Sequence, residues 1–166
     1  MKTALAYVEP EPPPEEYTEE QTEGIYSSSV GLGLYKKVGQ KLTIPNRKVT
    51  KLGFWLKKSG SPTGDVTYQI RKVSDDSLIT EKVLCDAAEI PIERTYEEAV
   101  LDTPTLINEE VRIIVIHPNA QASHRISFYY AEADLKANEC FTRYSNTTWT
   151  DDTANEMTYR YKYYEV

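Results

Sequence analysis

Cysteine and histidine are scarce in this chain, two of each among 166 residues, and their scarcity excludes several chemistries at once. Cys85 and Cys140 lie far apart and fit no metal-ligand spacing. They are expected as two small buried hydrophobes, with one disulfide as the other option. His117 and His124 flank Pro118-Asn119 with no cysteine or carboxylate at a zinc-ligand offset, so a loop position is expected for both. No Gly-x-Ser-x-Gly elbow is present, and Gly31-Leu32-Gly33 is followed by neither a third glycine nor a helical pattern. A hydrolase nucleophile and a phosphate cradle are thereby set aside, and the chain is expected not to be an enzyme. No apolar run approaches the ~18 residues that cross a bilayer. The patch Thr3 to Val8 falls short of a secretory apolar region of about 7–15 residues. Synthesis in the cytoplasm without a signal peptide, and no membrane insertion, are expected.

Charge and proline are concentrated at one end. Residues 1–24 carry Glu9, Glu11, Glu15, Glu16, Glu19, Glu20 and Glu23 against Lys2 alone, while Pro10, Pro12, Pro13 and Pro14 obstruct helix and sheet alike. Nearly all of the chain's net charge of −7 sits there. Low hydrophobicity with high like charge predicts an extended arm, ordered by a neighbouring subunit through residues such as Tyr17. Lys36, Lys37, Lys48, Lys51, Lys57 and Lys58 cluster in the first third of the sequence and form a candidate docking surface for that arm. The same arm would repel nucleic acid.

From Ile25 onward the text alternates strands and turns. Leu52, Phe54 and Leu56, then Val66, Tyr68 and Ile70, recur with period two on either side of Gly60-Ser61-Pro62-Thr63-Gly64, which predicts a central β-hairpin over 51–72. Pro45-Asn46-Arg47 and Ser74-Asp75-Asp76 read as turns, 85–94 as irregular with one helical turn, and 111–116 as a central strand. Thr95–Leu101, Ile126–Ala131, Glu139–Tyr144 and Met157–Tyr164 complete nine or ten short strands without a βαβ alternation. The expected fold is an all-β antiparallel sandwich of jelly-roll type over 25–166 behind the 1–24 arm, with immunoglobulin-like wiring giving a similar strand list. Tyrosine is abundant, 13 against 3 Phe and 2 Trp. The row Tyr159, Tyr161, Tyr163 alternates with Arg160 and Lys162, a pattern suited to packing or to stacking on sugar rings.

The acidic pairs Asp75-Asp76, Glu97-Glu98, Glu109-Glu110 and Asp151-Asp152 offer oxygens to Ca²⁺ but lack ligand-loop spacing. No cofactor is expected beyond a structural Ca²⁺ at most. Asn146-Thr147-Thr148 fits a glycosylation acceptor.

The run Gln40 to Pro45, then Val49 to Lys58, then Gly60-Ser61-Pro62-Thr63-Gly64-Asp65-Val66, resembles a jelly-roll domain of bacterial, archaeal and phage surface proteins. Members typically show Q-x-F-x-x-P followed by L-x-L-K-K-x-G-x-P-T-G-x-L. Tyr144 to Thr150 resembles that group's tryptophan loop and Met157 to Tyr161 its last strand, so the likeness covers 37–164. It implies a non-catalytic sandwich related in shape to carbohydrate-binding modules. Two roles follow as expectations. One is an assembly protein, a virion component such as a capsid-decoration or head or tail accessory protein, or a surface-filament subunit. It would be a homo-oligomer or part of a lattice, located in a virion or extracellular assembly. The other is a module binding surface glycans through Trp55, Trp149, Tyr159, Tyr161 and Tyr163.

Overall fold

The computed structural model describes residues 12–33, 35–145 and 147–166. They form eleven strands: β1 (Tyr17–Gln21), β2 (Tyr26–Ser29), β3 (Lys37–Ser59), β4 (Asp65–Lys72), β5 (Leu78–Asp86), β6 (Thr95–Ile116), β7 (Arg125–Ala131), β8 (Cys140–Ser145), β9 (Thr148–Asp152), β10 (Glu156–Met157) and β11 (Tyr159–Glu165). Every pairing is antiparallel. The irregular stretch 85–94 holds one 3₁₀ turn, Ala87–Glu89, capped by the Asp86 carboxylate accepting from Ala88 N–H.

Two long strands organise the rest. β3 and β6 pair from Lys37↔Ile116 to Leu56↔Thr95, with register shifts between Ile44 and Arg47 and between Val49 and Lys51. Bulges bend a ribbon and increase its twist. Here they fold it over, so that its two halves lie in different layers. One layer runs β9-β8-β3-β6-β4-β5 through the 37–44 and 109–116 segments; the other holds β11, β7 and the 95–107 segment around Val49 to Ser59. Three contacts join the layers face to face. Phe54 meets Tyr68 edge-on at 5.0 Å, Phe128 stacks on Phe141 at 5.5 Å, and the Tyr68 hydroxyl donates to Glu97 O. Leu42, Leu52, Leu56, Ile70, Ile113 and Val115 fill the space between.

Several sequence expectations are corrected. The alternation over 51–72 is real, yet β3 and β4 are not hydrogen-bonded neighbours, so the 60–64 connection is an arch between layers and not a hairpin turn. Gly60 (φ 67°) and Gly64 (φ 91°) do take left-handed backbone there. Pro45-Asn46-Arg47 does not end a strand; with Asn46 at φ 46° it forms the bulge where β3 bends. Thr95–Leu101 and 111–116 belong to a single strand, because the ribbon crosses between layers without a break.

The arm boundary at 24 also needs correction. Tyr17 to Gln21 pair with Tyr163 to Tyr159, making β1 the edge strand beside β11. Acidic residues join a sheet here because each finds a cation on the body, which composition could not show. Glu9, Pro10 and Glu11 lie outside the described residues; Pro12, Pro13 and Pro14 are exposed ahead of β1.

Candidate interaction surfaces

The strand β1 is held by an ion-pair seam. Glu16 accepts from Lys51 Nζ at 2.8 Å and from Thr50 Oγ1 at 2.6 Å, which lowers its pKa. Glu19 lies 3.5 Å from Arg47 and also meets Lys136, while Glu20 pairs with Arg160. Arg47 in turn donates to the Tyr161 hydroxyl at 2.6 Å and lies 4.0 Å over the Tyr163 ring. Glu15, by contrast, has no cation partner among the described residues and accepts from the Tyr17 phenol at 3.0 Å.

Beneath that seam lies the tyrosine row. Tyr159, Tyr161 and Tyr163 are 0%, 1% and 6% exposed. The expectation that they stack on sugars is overturned: β11 has β1 on one side and β3 on the other, and its tyrosine face looks into the space between the layers. Arg160 and Lys162 occupy the opposite face, as the alternation predicts.

Where the two layers part at one edge, the loop after β7 closes the gap with polar groups. Tyr159 donates to Glu139 Oε2 at 2.6 Å, and Gln40, from the other layer, donates to the same oxygen at 3.4 Å. Gln40 also accepts the Met157 N–H at 2.9 Å. Glu156 accepts the Leu135 and Lys136 N–H groups on Oε1, while its Oε2, on a residue with 0% exposure, meets no donor among the described residues. Burial raises the pKa of both Glu139 and Glu156 and pushes the Tyr159 phenol upward as well. No spacing in the sequence announces this bridge, because its members come from three separate segments, around Gln40, 135–139 and 156–159.

The outer face of the β9-β8-β3-β6-β4 layer carries a second surface. Cross-strand partners share a face, and the register sets out the rows Trp149-Tyr144-Lys37-Ile116-Thr67 and Asp151-Thr142-Gly39-Ile114-Gln69. Trp149 lies 5.2 Å from Tyr144, edge to face, with the Arg112 guanidinium 4.8 Å from its ring and its indole N–H donated to Asp76 at 2.9 Å. Arg112, only 6% exposed, donates to Thr142 Oγ1 and pairs with Asp151 at 3.3 Å. Burial works against the Asp151 charge, but hydrogen bonds from Thr142 and Lys41 and the Arg112 charge outweigh it, and its pKa falls. Trp55 occupies the other outer face, 4.8 Å from Tyr96 with Arg160 at 5.3 Å.

The expected basic surface divides. Lys51 is taken by Glu16 of the same chain, and Lys58 donates to Ala88 O. Lys36, Lys37, Lys48, Lys57 and Lys58 have no carboxylate within 4.0 Å among the described residues. His117 is fully buried in a loop with Nε2 3.1 Å from Thr63 O, and His124 accepts Ser61 N–H on Nδ1 at 2.8 Å, so both brace the loops at one end of the block. Both cysteines are free thiols. Among the described residues no group of three or more His, Cys, Asp or Glu is placed to hold a metal ion, and no helix is long and apolar enough to cross a membrane. No protein-family model and no curated protein matches the chain, so the roles of these surfaces rest on their chemistry.

Proposed function

We propose that the chain is a non-enzymatic structural module, a jelly-roll subunit of a virion or a surface filament that joins its neighbours through the acidic, proline-rich segment ahead of β1. One observation carries this reading. β1 runs antiparallel to β11, with Tyr17 at the level of Val49 and Gln21 at the level of Phe54. Residues 12–16 therefore lead away toward the bend in β3, whereas Lys36, Lys37, Lys57 and Lys58, with no carboxylate partner among the described residues, lie toward the two ends of that strand. With Lys48 alone of these lysines at the bend, acid at one end and four such lysines at the other suit head-to-tail contacts between copies, which close into rings or run on as filaments. β1 itself serves the block, not the neighbour, so the segment available for contacts is shorter than composition suggests. The test removes residues 1–15, keeping Glu16 and β1, and compares particle mass with the full chain by light scattering. Loss of association with unchanged thermal stability supports the reading; a monomeric full chain at every concentration sinks it.

A second reading, carbohydrate binding, is favoured by the half-buried Tyr144–Trp149 pair on a face that also offers Gln69 and Arg71. It predicts that Trp149→Ala reduces retention on a polysaccharide column, and equal retention argues against it.

A further inference from the structure

At the end of the block away from the β3 bend, Gly31, Lys36, Lys37, Ile116, Pro118 and Tyr144 line a groove of about 350 Å³. Its lining combines apolar and aromatic groups, Ile116, Pro118 and Tyr144, with the two lysines Lys36 and Lys37. The Lys37 ammonium lies 4.9 Å over the Tyr144 ring. Lys41, four residues on, shows what pairing looks like on this face, meeting Asp151 at 3.1 Å and Glu110 at 3.7 Å. Lys36 and Lys37 have no such partner among the described residues, and burial together with the charge of Arg71 depresses the Lys37 pKa. The groove is thus built for a ligand that brings carboxylates and a compact apolar body together.

We propose that this groove receives the Glu9-Pro10-Glu11-Pro12-Pro13-Pro14-Glu15 segment of a second copy of the chain. The proposal rests on the assembly reading above and names the surface that completes it. Proline rings pack on aromatic-lined grooves with little entropy to lose, and Tyr144, Ile116 and Pro118 supply that lining. Glutamates on either side of the prolines meet Lys36 and Lys37. The geometry favours a second copy over the chain's own segment. From Val49, the level of Tyr17, to the far end of β3 is on the order of 30 Å at ~3.3 Å per residue, and the segment leaves β1 in the other direction. Each exposed ion pair contributes little, so the contact is weak singly and is expected to loosen with salt.

The test is a charge exchange in the full chain, read by sedimentation velocity at low and high salt. Lys36→Glu/Lys37→Glu reverses the groove, and Glu9→Lys/Glu11→Lys reverses the segment. Each variant alone is expected to self-associate about 10-fold more weakly or worse. An equimolar mixture is expected to recover association, since every segment then meets a groove of opposite sign. Near-UV circular dichroism checks that both fold. If either misfolds, a synthetic peptide of residues 7–16 added to the wild-type chain replaces it and is expected to dissociate the assembly. Unweakened variants, a mixture that stays apart, or a peptide without effect overturns the groove while leaving the assembly reading standing. A wild-type chain that never associates overturns both.

Discussion

The Phe54 ring meets Tyr68 edge-on at 5.0 Å although their strands share no hydrogen bond, and the Tyr68 hydroxyl reaches Glu97 O, 2.9 Å away on β6. This contact ties the two layers across the arch at 60–64. Tyr68→Phe removes one buried hydrogen bond and is expected to cost about 0.5–1.5 kcal/mol, lowering Tm by roughly 1–6 °C. Phe54→Ala opens a cavity between layers and is expected to cost about 3–5 kcal/mol. Thermal unfolding of both variants checks this, and an unchanged Tm for Phe54→Ala contradicts the face-to-face packing.

Arg47 holds Glu19 and Tyr161 together beneath β1. Arg47→Met removes the guanidinium from over Tyr163, frees the Tyr161 hydroxyl and leaves Glu19 its contact with Lys136. The expected result is local, with amide exchange at Tyr17–Gln21 accelerated by about 10-fold or more while core strands keep their protection. Exchange mass spectrometry that shows no change at β1 rules out the seam as its anchor.

Asp151 is the counter-charge of nearly buried Arg112. Its pKa is lowered, so the stability it contributes is present above the ordinary value of 3.8 and is lost as pH falls through the lower folded value. Asp151→Asn is expected to cost about 2 kcal/mol at neutral pH, less than for a fully buried pair because Asp151 is partly exposed. It is also expected to flatten the acid limb below about pH 4. Trp149 fluorescence, with Arg112 at 4.8 Å, reports the change.

Glu156 and Glu139 work in the opposite sense. Burial raises both above the ordinary 4.5, so the folded chain keeps protons that the unfolded chain releases. Their contribution is complete below about pH 4.5 and fades as pH rises through the folded values. Glu156→Gln retains an acceptor for the Leu135 and Lys136 N–H groups and removes the unpaired charge. It is expected to stabilise by about 1 kcal/mol at pH 7 and to give no gain near pH 4. Denaturant titrations at the two pH values decide; a loss at pH 7 means the charge itself is needed there.

Burial pushes the Cys85 thiol up to about 11. Since thiolate is the reactive form, alkylation of the folded chain at pH 8 is expected to be on the order of 100-fold slower than that of the unfolded chain. Timed iodoacetamide labelling with mass spectrometry measures the ratio, and rapid labelling of folded Cys85 contradicts its environment.

The sequence by itself determined the strand class, because period-two alternation, as in Leu52-Phe54-Leu56 and Tyr159-Tyr161-Tyr163, needs no partner to be visible. It also placed β7, β8 and the one helical turn near their observed positions. Tertiary structure alone decided which strands pair and which faces are covered. Alternation says that Tyr159 shares a face with Tyr161, but burial depends on what β1, β3 and the opposite layer bring over it. It marks Asn46 as a turn, but only a partner strand makes that residue a bulge in a continuous ribbon. The acidic stretch around Glu16, Glu19 and Glu20 reads as unable to fold because like charges repel, and the fold reverses that by supplying Lys51, Arg47, Lys136 and Arg160 from distant segments.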